Sequence, residues 1–187
     1  KIKNPNDINA LLDRVDYNLE KGKYESALFD LQQCLLLDSL NSKCNYLASL
    51  SYFEISKYDK TKVDYGKLAL KHIRNSIKNN EKNYLALALY GEINVAYARY
   101  KEAIDFFNKS LEIEYNQYAT HHLMGYAFKK LDQLDVAVNC FQNSININPD
   151  YLQSYIESAL VYQLKNDTLA EIFYKNALKI DSSNIIV

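Results

Sequence analysis

The stretch GYAFKKLDQLDVAVNCFQNSININPD, running from Gly125 to Asp150, decides the fold. Val136, Ala137, Cys140, Phe141, Ser144, Ile145 and Ile147 recur at close to the 3.6-residue period of one helix face. Just upstream, Leu123, Met124 and Ala127 share a face of a preceding helix. The polar run Lys130-Leu131-Asp132-Gln133 separates the two stripes and reads as a turn. Asn148-Pro149 ends the second helix, because proline has no N–H to donate and disfavours helical backbone in the residue before it.

This helix pair is one of a series. Ala103 and Ala137, Phe107 and Phe141, Ser110 and Ser144, Ile113 and Ile147, Gly91 and Gly125, and Tyr84 and Tyr118 each lie 34 residues apart. Forward, at an offset of 33, Ala137, Ser144 and Ile147 map to Ala170, Ala177 and Ile180. Backward, Ala103 maps to Ala69, and Ala69, Ile73 and Ser76 map to Ala27, Leu31 and Cys34 at an offset of 42. A period in this range marks an array of supersecondary units that bury their apolar faces against one another. The chain therefore reads as one repeat domain over 1–187, with repeats at 8–41, 42–83, 84–117, 118–151 and 152–184. The second holds eight extra residues near 58–65, YDKTKVDY. That is about two helical turns, enough to lengthen each helix of the pair by one. Weaker helix stops are expected at Asp38-Ser39, Asn79-Asn80, Tyr115-Asn116 and Asp181-Ser182.

Small residues recur for a packing reason. Gly91 and Gly125 fall midway along a first helix, and Ala103 and Ala137 fall early in a second. Glycine inside a helix costs about 1 kcal/mol against alanine. Its repetition implies a close approach of two helix backbones, with Phe107 and Phe141 filling the space beyond.

Composition agrees. In 187 residues, 22 Lys+Arg against 23 Asp+Glu give a net charge of −1, which lacks the basic excess of a nucleic-acid binder. Only 4 Gly and 2 Pro are present, without an Asn-Gly or Asp-Gly pair, so the tight turns of a multi-stranded sheet have no residues to build them. Apolar stretches such as Tyr84–Tyr90 fall far short of the roughly 18 residues of a membrane span. Cys34, Cys44 and Cys140 are odd in number and form no C-x-x-C pair, so they read as small buried hydrophobes.

Catalytic chemistry finds little support. His121-His122 is the sole histidine pair, and neighbours at i and i+1 on a helix diverge instead of gripping one metal. The phosphate-cradling, nucleophile-elbow and dinucleotide glycine motifs are absent. Glu112 and Glu114 read as solvated helix surface. The expectation is no catalytic residue, no metal and no cofactor.

With these residues in place, the repeat resembles the tetratricopeptide repeat. Gly125, Phe128, Ala137, Phe141, Ser144 and Pro149 fall on that family's positions 8, 11, 20, 24, 27 and 32. Gly91, Tyr100, Ala103, Phe107 and Ser110 do so in the third repeat, and Gly22, Tyr24 and Ala27 in the first. His121 and Leu87 at position 4, and Val15 and Ser49 at position 8, depart from the pattern and predict looser packing. The resemblance implies an all-α α-solenoid of about five helix-turn-helix repeats in a right-handed superhelix, with the first helix of each repeat lining a concave groove at positions 2, 5, 9 and 12. It also implies a non-catalytic scaffold that binds a partner protein or peptide. On this chain, the groove positions expected to hold the partner are Tyr46, Leu50, Phe53, Leu85, Glu92, His122, Tyr126, Lys129, Ile156, Leu160 and Gln163. The first repeat carries Leu12 and Asp16 where relatives that grip acidic chaperone tails place Lys and Asn, so an apolar-anchored segment is the expected partner. Alternatively, several of these side chains simply pack against neighbouring repeats or against a terminal helix that fills the groove. Two other roles stay open: a recruiting or regulatory module of a larger enzyme, and a spacer that self-associates end to end. Ile185-Ile186-Val187 reads as the opening of another helix, by which the natural chain would continue or associate. Pro5-Asn6-Asp7 reads as a helix start capped by Asp7.

Overall fold

Each repeat range encloses one helix pair. A computed structural model describes residues 7–59 and 61–181. Its helices are α1 (Ile8–Glu20), α2 (Tyr24–Leu37), α3 (Ser42–Tyr58), α4 (Tyr65–Asn79), α5 (Tyr84–Ala96), α6 (Tyr100–Ile113), α7 (Tyr118–Lys130), α8 (Leu134–Ile147), α9 (Leu152–Leu164) and α10 (Leu169–Ile180). No strand occurs among the described residues. The expectations for Pro5-Asn6 and for Ile185-Ile186-Val187 fall outside those residues. Asp7 does cap α1, its side chain accepting from the Asn9 N–H at 3.0 Å.

Two kinds of turn alternate, each with its own backbone logic. Within repeats one, three, four and five, the residue at position 15 takes a left-handed conformation: Gly22 (φ 65°), Ala98 (56°), Asp132 (59°) and Asn166 (53°). Around each, the N–H three places past the helix returns to a carbonyl in its last turn. These bonds are Lys23 to Asn18, Arg99 to Asn94, Gln133 to Phe128 and Asp167 to Tyr162, at 2.8–3.0 Å. This is the Schellman ending, which satisfies carbonyls that the helix leaves open. Between repeats the residue just past the second helix uses its side chain instead. Asp38, Asn80, Glu114 and Asn148 each accept from the N–H two residues on, at 2.9–3.2 Å.

The extra residues of the second repeat split unevenly. α3 has 17 residues against 13 in the other first helices, so one full turn is added there. α4 has 15 against 14 in α2, α6 and α8, so the expected extra turn does not appear in it. The remainder lies between α3 and α4, where the Asp59 carboxylate accepts from the Thr61 backbone and hydroxyl.

Contacts divide the chain into two compact halves, Lys1–Ile93 and Asn94–Val187. In the first, Val15, Ala27, Leu31, Cys34, Cys44, Ala69, Ile73, Ala86 and Ile93 are fully buried in one core. In the second, one cluster holds Ala103, Phe107, Met124, Ala127 and Cys140, and another holds Ala137, Phe141 and Val161.

The recurring small residues do meet large ones. A Cβ on Gly125 would lie 3.0 Å from the Ala137 carbonyl oxygen and closer still to the Phe141 ring. Position 8 of the first two repeats does not loosen the packing as expected. Val15 is fully buried, and Ser49, also fully buried, donates to the Ala69 carbonyl at 2.9 Å. His121, at position 4, is 2% exposed. Its Nε2–H donates to the Tyr115 carbonyl at 3.1 Å, and its Nδ1 has no hydrogen-bond partner.

Successive repeats are also joined by small polar pairs between position 27 and position 3 of the next repeat. Cys44 and Cys34 form the thiol pair of the first junction, and burial first, then its neighbour Cys34, pushes the Cys44 pKa up to about 12. Ser154 donates to Ser144 at 2.9 Å. Ser110 and Thr120 both donate to the Gln117 side-chain carbonyl, at 3.2 and 3.1 Å. Ser76 turns instead to Ser42 of its own repeat, donating to its carbonyl at 2.9 Å.

Candidate partner-binding face

In the first half the candidates sit on α3 and α5. Tyr46 and Leu50 are half-buried on α3, Leu85 is exposed on α5, and Glu92 is half-buried one helix turn from its end. Phe53 is 4% exposed and belongs to the core, so it offers no free anchor. Its ring is roofed by Lys57, whose ammonium lies 4.4 Å from the ring centre. That ammonium pairs with Glu54 at 2.7 Å and Glu92 at 2.8 Å. Burial alone would lower the Lys57 pKa, but hydrogen bonds to the two carboxylates outweigh it and raise it. The Tyr46 hydroxyl is also raised, by burial first and then by the Glu92 charge. Lys57 stands on the extra turn of α3, and residue spacing gave no sign that it would reach Glu92, 35 positions on.

In the second half the candidates sit on α7 and α9. Tyr126 is half-buried, with the Lys129 and Lys130 ammoniums 5.6 and 5.2 Å from its ring centre. Lys129 forms an ion pair with Glu157, both largely covered, and so ties α7 to α9. Ile156 and Leu160, one turn apart on α9, are half-buried, and Gln163 accepts from the Tyr174 hydroxyl of α10 at 3.0 Å. His122 is a joint between helices. Ser154 spends its hydrogen on Ser144, so His122 Nδ1–H donates to Ser154, at 3.0 Å. Its ring packs on Phe141 and Tyr151 at 5.5 and 5.2 Å, and burial lowers its pKa to about 4. It is a neutral ring at pH 7. No cluster of metal-ligating side chains and no helix long and apolar enough to cross a membrane occurs among the described residues.

On α7 and α9, half-buried Tyr126, Ile156 and Leu160 stand beside the Lys129–Glu157 ion pair. Residues 118–151 match the family model described as Tetratricopeptide repeat. The fourth repeat is a tetratricopeptide repeat. No curated protein matches the chain. Solved structures do, and over nearly all of it. MamA residues 41 to the end, from Desulfovibrio magneticus RS-1, superimpose with a TM-score of 0.78 at 13% identity, covering 99% of each chain. The Pseudomonas aeruginosa pilF structure gives 0.80 at 17% identity, over 92% of this chain and 75% of that one. YrrB, described as a tetratricopeptide-repeat protein with an unusual peptide-binding site, gives 0.72 at 17%, over 97% and 90%. At these identities the likeness shows the fold alone, the all-helical tetratricopeptide arrangement, with five helix pairs among the described residues of this chain.

Proposed function

We propose that the protein is a non-catalytic interaction scaffold that holds an apolar-anchored peptide segment of a partner protein on the α7–α9 face, through Tyr126, Ile156 and Leu160. The observation that carries this reading is the pairing of charge there. Lys129, the cation between α7 and α9, is already neutralised by Glu157, so what the two helices present between them is half-buried apolar surface. A segment with two or three apolar side chains gains about 1–2 kcal/mol from each that it buries. The peptide-binding site named for YrrB, a structure of the same fold, supports the same class of partner. Leu50 and Leu85 offer a similar surface in the first half.

The test is a comparative pull-down from source-cell lysate, read by mass spectrometry. The wild-type chain is set against Tyr126→Glu/Leu160→Glu, with helicity matched by circular dichroism. A partner retained by the first and lost by the second supports the assignment. A partner retained equally by both, or none from either, refutes it.

A further inference from the structure

α4 carries its charge in a single row. Lys67, Lys71, Arg74 and Lys78 follow one another at intervals of 4, 3 and 4 residues, so they share one side of the helix over about 16 Å. All four are exposed, and α4 contains neither Asp nor Glu. Little within the chain answers this charge. Among the described residues, only Lys67 of the four has a carboxylate partner, Asp64 at 3.0 Å. Those two side chains are 78% and 76% exposed, and a pair so open to water is held weakly. Arg74 spends Nε on the Tyr90 hydroxyl, at 3.0 Å.

The fold does not require the row. The repeat offsets put Lys101, Asp105, Asn108 and Glu112 at the same positions of α6. In α8 they put Asp135, Asn139, Gln142 and Asn146 there. Helices of the same kind thus form with neutral or acidic residues at these places. A second feature adjoins the N-terminal end of the row, in the extra residues of the second repeat. Tyr58, the last residue of α3, is 81% exposed, and Val63, in the stretch that leads into α4, is 77% exposed. Lys62, also exposed, lies next to Val63 in the chain. Two large apolar side chains therefore stand in water beside a line of cations.

We propose that this side of α4, with the stretch before it, docks on an anionic phospholipid surface. Each Lys or Arg held near such a surface strengthens binding about fivefold, and the four act together without having to match any register. Tyr58 and Val63 enter the headgroup region, where an aromatic ring with a polar tip is well accommodated. An acidic segment of a protein suits the same row less well. It would have to fix four long side chains in one geometry, and each exposed ion pair strengthens binding about fivefold at most. Laid along the helix, it would also leave Tyr58 and Val63 in water. The lipid surface satisfies the charge and the apolar side chains at once.

The test is flotation of the protein with vesicles of phosphatidylcholine containing about one-third phosphatidylserine, set against vesicles of phosphatidylcholine alone. Binding is expected to the first and not to the second, and to weaken as salt is raised. Lys71→Gln/Lys78→Gln, with helicity matched by circular dichroism, is expected to weaken binding about 25-fold, and Lys71→Arg/Lys78→Arg to retain it. Tyr58→Ser/Val63→Ser is expected to weaken it about tenfold, through the apolar area withdrawn from the interface. Lys101→Gln/Lys109→Gln removes the same charge from α6 and is expected to leave binding unchanged. So is Tyr126→Glu/Leu160→Glu, which separates this surface from the α7–α9 face. Failure to float with the anionic vesicles overturns the proposal, as does equal binding to both kinds of vesicle. A loss in the α6 variant as large as that in the α4 variant overturns the assignment to this row. Binding in solution of a helical peptide with Glu at the same 4, 3, 4 spacing, without flotation, would move the assignment from lipid to protein.

Discussion

Gly125 lies against the edge of the Phe141 ring so closely that a Cβ placed on it would be 2.7 Å from the nearest ring carbon. Phe141 is fully buried and cannot swing away, and the Ala137 carbonyl stands on the other side. Gly125→Ala gains about 1 kcal/mol in helix propensity but forces this contact apart. Overpacking of this kind costs about 1–3 kcal/mol, and the ring and backbone leave little to give. We expect net destabilisation of about 1–2 kcal/mol, read as a lower urea midpoint. Gly125→Leu should cost more than Gly125→Ala.

The left-handed turns make a prediction of opposite sign. Ala98 holds φ 56° without the freedom of glycine or the short polar side chain that Asp132 and Asn166 bring to the same position. Ala98→Gly should stabilise the protein by about 0.5–1 kcal/mol, because relief of the strain exceeds the added flexibility of the unfolded chain. Gly22→Ala meets no atom within 4 Å, so its cost is the backbone strain alone, about 1 kcal/mol. Thermal melting of the two variants should move in opposite directions.

Acid should weaken the fold within a defined window. His72, His121 and His122 all have pKa values lowered chiefly by burial, His122 to about 4 from 6.5. The native state therefore binds fewer protons than the unfolded chain. Stability is fully present above about pH 6.5 and falls as pH drops towards 4. The share from His122 is about 2 kcal/mol by pH 5. Urea midpoints at pH 7 and pH 5 should differ accordingly, and His122→Gln should flatten the difference. An unchanged pH slope in that variant would refute the assignment.

Arg14 grips Asp30 through Nη2 at 2.5 Å and Nε at 3.2 Å, and the Asp30 carboxylate is nearly buried. Removing the guanidinium strands that carboxylate. Arg14→Ala should cost about 2–4 kcal/mol, and Arg14→Met with Asp30→Leu appreciably less, since no charge is then left uncompensated. A double-mutant cycle in urea measures the difference.

Much of the fold is legible in the sequence because small and large residues recur at fixed spacing. Gly125, Ala137 and Phe141 announced a close helix pair, and they form one. Pro149 and Asp38 marked helix ends, and α8 and α2 stop at them. The face of a helix follows from periodicity, but the neighbour a side chain meets does not. Phe53 and His122 lie at the expected positions, yet one belongs to the core and the other bridges α7, α8 and α9. Lys57 escaped notice because its partner is 35 residues away and its reach depends on how the extra residues of the second repeat divide between helix and loop.

The polar pairs between position 27 and position 3 have a consequence for the order of the repeats. One junction is written in two thiols, one in two hydroxyls bridged by an amide, and one in two hydroxyls in direct contact. The thiol pair is mismatched to both hydroxyl pairs. A shuffled chain that set the first repeat ahead of the fifth would press the Cys34 sulfur against Ser154, leaving a buried hydroxyl with a poor acceptor. The repeats are thus alike in shape, yet their first junction is set apart from the last two by side chains too small to register in any comparison of backbones.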